Sequence, residues 1–148
     1  MRPIVGAMAI VFRREEILMI RRAKDPEAGL WSLPAGKIEL GETMQAAAVR
    51  ELAEETAVVA VAQRVLAPVE AMERDEAGRI KYHIVITPVL CVWTSGEPFA
   101  GDDAAEARWV KLADVNQLNL VSSFNLARLI ALAAAPEGGC ANKPLPWG

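Results

Sequence analysis

Two cysteines and one histidine are all this 148-residue chain offers of the softer metal ligands. Cys91 and Cys140 lie far apart and match neither the paired spacing of a zinc site nor a disulfide framework, which fits a reducing cytoplasm. The lone His83, between Tyr82 and Ile84, reads as a structural histidine rather than a catalyst. A basic excess is also missing. The formal net charge is −3, which argues against a face that grips long nucleic acid through its phosphates. Small nucleotides stay within reach, because a bound cation offsets their charge. No run approaches the roughly 18 uninterrupted apolar residues of a membrane span, and Met1 to Gly6 lacks the apolar region of a signal peptide. The nearest approach, Ala127 to Ala135, is short and alanine-rich and is better read as a packed helix.

What is present is the composition of an ordinary globular domain, 53% apolar and 24% charged, at a length that suits one core. Ile4 to Phe12 and Ile17 to Ile20 are apolar runs separated by Arg13-Arg14-Glu15-Glu16, so two buried strands joined by a charged turn are expected. Ala23 to Gly29 reads as a loop, and Leu30 to Pro34 as a short strand ended by proline. Thr43 can cap a helix over Met44 to Thr56, which holds no proline or glycine. Val58 to Val69 and Ile80 to Val92, around Asp75 to Gly78, look like a long hairpin, with Pro88 suggesting an edge or a bulge. Arg108 to Val110 reads as a short strand and Ala113 to Leu118 as a helical turn. Ser122 or Ser123 can cap a helix to about Ala135. Strands interleaved with helices predict an α/β or α+β sandwich with a mixed sheet over residues 1–135, followed by an irregular tail at 136–148.

Within the expected helix, Glu51 shares a face with Glu54 and Glu55, and Arg50 reaches Glu54. Carboxylates at that spacing repel unless a cation joins them, and a face built only for solubility usually mixes in lysines. Magnesium fits, since it takes carboxylate oxygens and keeps places for water and phosphate oxygens. It polarises phosphoryl groups and lowers the pKa of a bound water. Manganese is the alternative ion. Gly36 lets the backbone pass close to this face. By itself the charge pattern reads more readily as a solvated, ion-paired helix face.

The longer run decides otherwise. Gly36, five residues, Glu42, seven residues and Arg50-Glu51-Leu52-Ala53-Glu54-Glu55-Thr56-Ala57-Val58 resembles the Nudix box, departing only where Ala57 replaces the closing glycine. The resemblance covers roughly residues 3 to 135, including Leu33-Pro34-Ala35-Gly36-Lys37-Ile38-Glu39 at the entrance to the box. It implies the Nudix αβα sandwich and Mg2+-dependent cleavage of a nucleoside diphosphate linked to another moiety. Gly36, Glu51, Glu54 and Glu55 are then the metal-binding set, with one of the three glutamates open to the role of base, while Glu42 and Arg50 brace loop and helix. In some relatives a later acidic residue serves as base, and Asp103 and Glu106 are the candidates here, a polar turn being the alternative. Arg21, Arg22 and Lys37 are candidates for phosphate contacts, with solvated surface equally open. Trp31, Trp93 and Trp109 can stack on a base or fill the core, and core is favoured for Trp93.

The box reports the diphosphate, not its partner. Gly96-Glu97-Pro98 and the Asp-rich stretch before Trp109 are similar to bacterial ADP-ribose or nucleotide-sugar pyrophosphatases, with nucleoside triphosphates, oxidised ones included, as the rival. No N-terminal domain for a swapped dimer and no zinc module is visible, although a homodimer remains an option. A catalytically silent nucleotide sensor is a further alternative. An isopentenyl diphosphate isomerase would need a pocket cysteine, for which Cys91 in a strand is a poor match.

Overall fold

The computed structural model describes residues 2–101 and 103–135. Asp102, Cys140, Trp147 and the expected tail at 136–148 therefore lie outside the described residues. Eight strands form one sheet: β1 (Ile4–Arg13), β2 (Glu16–Arg22), β3 (Trp31–Ser32), β4 (Ala35–Lys37), β5 (Val59–Val65), β6 (Val69–Arg74), β7 (Ile80–Ser95) and β8 (Ala104–Lys111). Helix α1 (Met44–Thr56) follows β4, and α2 (Leu126–Ala134) follows β8 and a 3-10 turn at Leu112–Gln117.

Strands β3, β2, β1, β7 and β5 run side by side, with β4 added to β1, β8 to β2 and β6 to β7. The β1–β7 pairing is parallel and the others are antiparallel, so the sheet is mixed. The unbroken apolar run of β1 now has its reason. Met8 and Ile10 join one buried cluster with Leu126, Leu129 and Ile130 of α2, while Ala7, Ala9 and Val11 join another with Ala47, Ala48 and Leu52 of α1. A strand buried on both faces loses the polar alternation of a half-exposed one. The small side chains at Ala7, Ala9, Ala47 and Ala48 let α1 approach the sheet closely. This is the αβα sandwich that the sequence predicts.

Three expectations need correction. The stretch from Val58 to Val69 is not one hairpin arm: it divides at 66–68 into β5 and β6, which both pair with the long β7. Pro88 is not on an edge, because β7 has β1 on one side and β5 and β6 on the other. Its carbonyl accepts from Leu66 N at 2.9 Å, so its missing donor faces the junction where β5 gives way to β6. Finally, Asn125 caps α2, its side chain accepting from Arg128 N, while Ser122 and Ser123 bind elsewhere.

Helix α1 begins as expected, with the Thr43 hydroxyl accepting from Ala46 N at 3.0 Å. It ends on Ala57 at φ 63°, in the left-handed region, donating its N–H to Ala53 O. Ala57→Gly is expected to stabilise the protein by about 1 kcal/mol, because glycine carries no Cβ penalty there. Chemical denaturation with an unchanged m-value checks this.

Candidate active site

The buried face of α1 brings two carboxylates down onto β4. Glu55 is 7% exposed, and its Oε2 accepts from Ala35 N at 3.1 Å. Burial and the neighbouring Glu51 and Asp103 charges push its pKa up to about 8, against the opposing pull of the Ala35 amide and Arg22. Glu51 is also pushed up, by burial first and by Glu54 and Asp103, with Arg50 opposing. The reason for Gly36 is spatial: a Cβ there would run into the Glu51 carboxylate. The chain thus keeps a cradle for that group open at β4.

Arg50 ties the helix to the loop that enters it. Its Nε and one terminal nitrogen donate to both oxygens of Glu42 at 2.7 and 2.9 Å, and the latter nitrogen also donates to Lys37 O at 3.0 Å. The other terminal nitrogen reaches Glu51 at 2.8 Å and Glu54 at 3.3 Å. Arg50 and the Glu39 amide hold the Glu42 carboxyl down at about 2. Glu42 therefore stays a charged brace through any ordinary pH.

A cleft of about 710 Å³ opens beside this face. Gly36, Lys37, Glu51, Glu55, Arg22 and Asp103 line it, over an apolar floor that includes Ile20, Ile84 and Ile86. Three other candidates from the sequence are not among its lining residues. Glu54 is exposed and turned to Arg50. Arg21 lies 3.5 Å from Glu106, which sits in β8 rather than in a loop and also approaches Arg108. Consecutive strand residues face opposite ways, which is why Arg22 enters the cleft and Arg21 does not. Asp103 lies at the rim, where Lys24 Nζ reaches its Oδ1 at 2.6 Å.

The remaining singled-out residues have other work. His83 Nε2 is 2.7 Å from Glu70 Oε2. Cys91 is buried in β7, its thiol pushed up to about 11 by burial, and takes no part in the cleft. Trp31 is buried under Arg108. Trp93 and Trp109 are half-buried and flank Arg13, whose guanidinium lies 5.2 and 4.2 Å from their ring centres. Sequence reasoning missed Lys24 and Asp25 as lining residues. They sat in a segment legible only as a loop, and nothing local says which way a loop side chain points.

Among the described residues no three His, Cys, Asp or Glu side chains stand close enough to hold an ion as they are placed, since Glu54 pairs with Arg50. The residues nonetheless fit a hard divalent cation. The donors are all oxygen, Glu51 and Glu55 carry charge that burial and mutual repulsion disfavour, and the cradle at Gly36 is kept clear.

Comparison with known proteins follows the same line. The family model described as NUDIX domain matches residues 2–131. An ADP-ribose pyrophosphatase of Methanocaldococcus jannaschii is 34% identical over 116 residues, 78% of this chain and 66% of that protein. A putative 8-oxo-dGTP diphosphatase 2 of Mycobacterium tuberculosis is 36% identical over 142 residues, 89% of this chain and 93% of that protein. Among solved structures, the MutT NUDIX hydrolase of Burkholderia pseudomallei superposes with a TM-score of 0.73 at 28% identity, covering 91% of this chain and 100% of that one. Box spacing, sandwich topology and these relatives agree: the chain belongs to the Nudix family of hydrolases.

Proposed function

We propose that this chain catalyses magnesium-dependent hydrolysis of the diphosphate bond in a nucleoside diphosphate linked to another moiety, with ADP-ribose or a nucleotide sugar preferred. The observation that carries this reading is the pairing of buried Glu55 with half-buried Glu51 beside a cleft that also presents Arg22 and Lys37. Two cations there suit the oxygens of a diphosphate. The cleft volume of about 710 Å³ leaves room for both halves of such a substrate. The M. jannaschii relative's name supports ADP-ribose, and the M. tuberculosis relative keeps an oxidised nucleoside triphosphate as the rival.

Glu51, Glu54 and Glu55 would hold the metal, with Glu54 exchanging Arg50 for it. A bound magnesium or manganese ion neutralises phosphate charge and acidifies a coordinated water. Arg22 and Lys37 bind the diphosphate oxygens, and Arg50 keeps Glu51 oriented. A carboxylate oxygen of Asp103 takes the proton of the attacking water, whose oxygen bonds to phosphorus as the bridging P–O bond breaks, leaving two phosphate-bearing products. Glu106 is the second candidate for base and would first have to leave Arg21. The setting is a cytoplasm that supplies small nucleotides. No helix among the described residues is long and apolar enough to cross a membrane.

The test is turnover of a nucleotide panel, with products separated by chromatography. Chelation of magnesium is expected to stop hydrolysis, and Glu54→Gln to slow it at least about tenfold. Unchanged turnover in Glu54→Gln would overturn the ligand assignment. Tight binding of a nucleotide without turnover would favour the sensor reading instead.

A further inference from the structure

One charged group of the cleft region is committed to none of this chemistry. Glu27 lies in the loop between β2 and β3, whose neighbouring residues from Ala23 to Pro26 are exposed, yet it is itself half-buried. Its Oε1 accepts from both the amide and the hydroxyl of Ser122, at 2.7 and 2.6 Å. Its Oε2 accepts from the hydroxyl of Ser123 at 2.8 Å. Three donors some 95 residues away in sequence converge on one carboxylate. Charge-assisted hydrogen bonds of this length are the strong ones.

The backbone adds a second observation. Glu27 has φ 64°, in the left-handed region that disfavours a residue bearing a Cβ. Glycine would relax that position, so the side chain has to supply what offsets it. The three hydrogen bonds to the loop before α2 do so.

The latch borders a recess of about 180 Å³ that continues from the cleft. Arg22, Ala35 and Glu55 line both spaces, while Glu27, Ser123 and Phe124 close the far side of the recess, with Tyr82 also on its wall. Arg22 is fastened to the same loop, its Nε donating to Pro26 O at 2.9 Å. Of the two loops that Glu27 joins, one therefore anchors a cationic residue of the cleft and the other carries an aromatic wall of the recess. A recess with Phe124 and Tyr82 beside apolar strand side chains suits a flat ring rather than a phosphate.

We propose that Glu27 is a positioning residue: by latching the β2–β3 loop to Ser122 and Ser123, it holds the recess shaped for the nucleoside end of the substrate. This rests on the diphosphate reading above and adds which residue sets affinity for the nucleoside. It touches no reacting atom, so its effect belongs in KM rather than kcat.

Glu27→Gly deletes the carboxylate while relaxing the backbone, and Ser122→Ala/Ser123→Ala deletes the side-chain donors. Each is expected to raise KM for the hydrolysed nucleotide about tenfold with kcat within twofold, and the combination to add little, since residues in one network are not additive. Glu27→Gln, which keeps the acceptor oxygen, is expected to recover part of the loss. Calorimetric binding of AMP without metal is expected to weaken by the same factor. An unchanged KM and AMP affinity in Glu27→Gly overturns the latch, as does a fall in kcat equal to the rise in KM. If the wild type hydrolyses no nucleotide, the diphosphate reading fails by itself and the AMP comparison still decides the latch. A wild type that binds neither AMP nor GMP overturns the nucleoside assignment.

Discussion

Glu55→Gln is expected to lower turnover about a thousandfold, roughly 4 kcal/mol of transition-state stabilisation, while making the metal-free protein more stable at alkaline pH. Both effects come from one placement. Glu55 is 7% exposed, with a single backbone donor at Ala35 N and the Glu51 charge nearby. A group held this way serves a cation well and the empty fold badly. Its folded pKa of about 8 lies above the ordinary 4.5, so between those values the folded chain keeps a proton the unfolded chain has released. Stability of the metal-free protein therefore falls as pH rises from about 4.5 to 8 and levels off above that. The shift bounds this loss at roughly 5 kcal/mol, and relaxation around the ionised group reduces it to about 2.

Glutamine removes the titration and keeps an oxygen for the Ala35 amide. Urea unfolding in chelator at pH 5 and pH 8.5 measures the effect: the variant is expected to gain about 2 kcal/mol on the wild type at the higher pH relative to the lower. A stability difference independent of pH would sink the explanation, whatever happens to turnover. A turnover loss below about tenfold would remove Glu55 from the metal set.

How much of this was legible in the sequence varies with the range of the interaction concerned. Helix α1 was legible to the residue, because Thr43 as cap and a run free of proline and glycine are local signals. The left-handed Ala57 was legible too, since the box places a glycine there. Strand pairing was not. The division of Val58 to Val69 into β5 and β6 depends on β7 being long enough to serve both, and on Pro88 lying where one partner replaces the other. The cap of α2 failed for a similar reason. Serine at 122 or 123 is a sound local choice, but a carboxylate from Glu27 claims both hydroxyls and leaves the cap to Asn125. Around the cleft, the spacing pointed to Glu51 and Glu55, which do line it, while the alternation of β2, which admits Arg22 and excludes Arg21, needed the strand's register.

Magnesium binding is expected to release protons and to tighten with pH, by up to about tenfold per unit below pH 8. At pH 7 a Glu55 carboxyl of pKa about 8 is mostly protonated, and the ion must displace that proton to use the oxygen. Burial pushes Glu51 up as well, so it adds to the release toward acid pH, less strongly because Arg50 already compensates part of its charge. Glu42 contributes nothing, being held at about 2 by Arg50. Calorimetry in two buffers of different ionisation enthalpy counts the protons directly. About one per ion is expected near pH 7, falling toward zero at pH 9. Glu55→Gln is expected to lose most of this release, whereas Glu51→Gln is expected to lose a smaller part, its own contribution and the push its charge gives Glu55, while still weakening the ion. Proton-neutral binding at pH 7 in the wild type would mean that the ion is held away from Glu55, shifting the metal toward Glu51 and Glu54 at the exposed edge of the cleft.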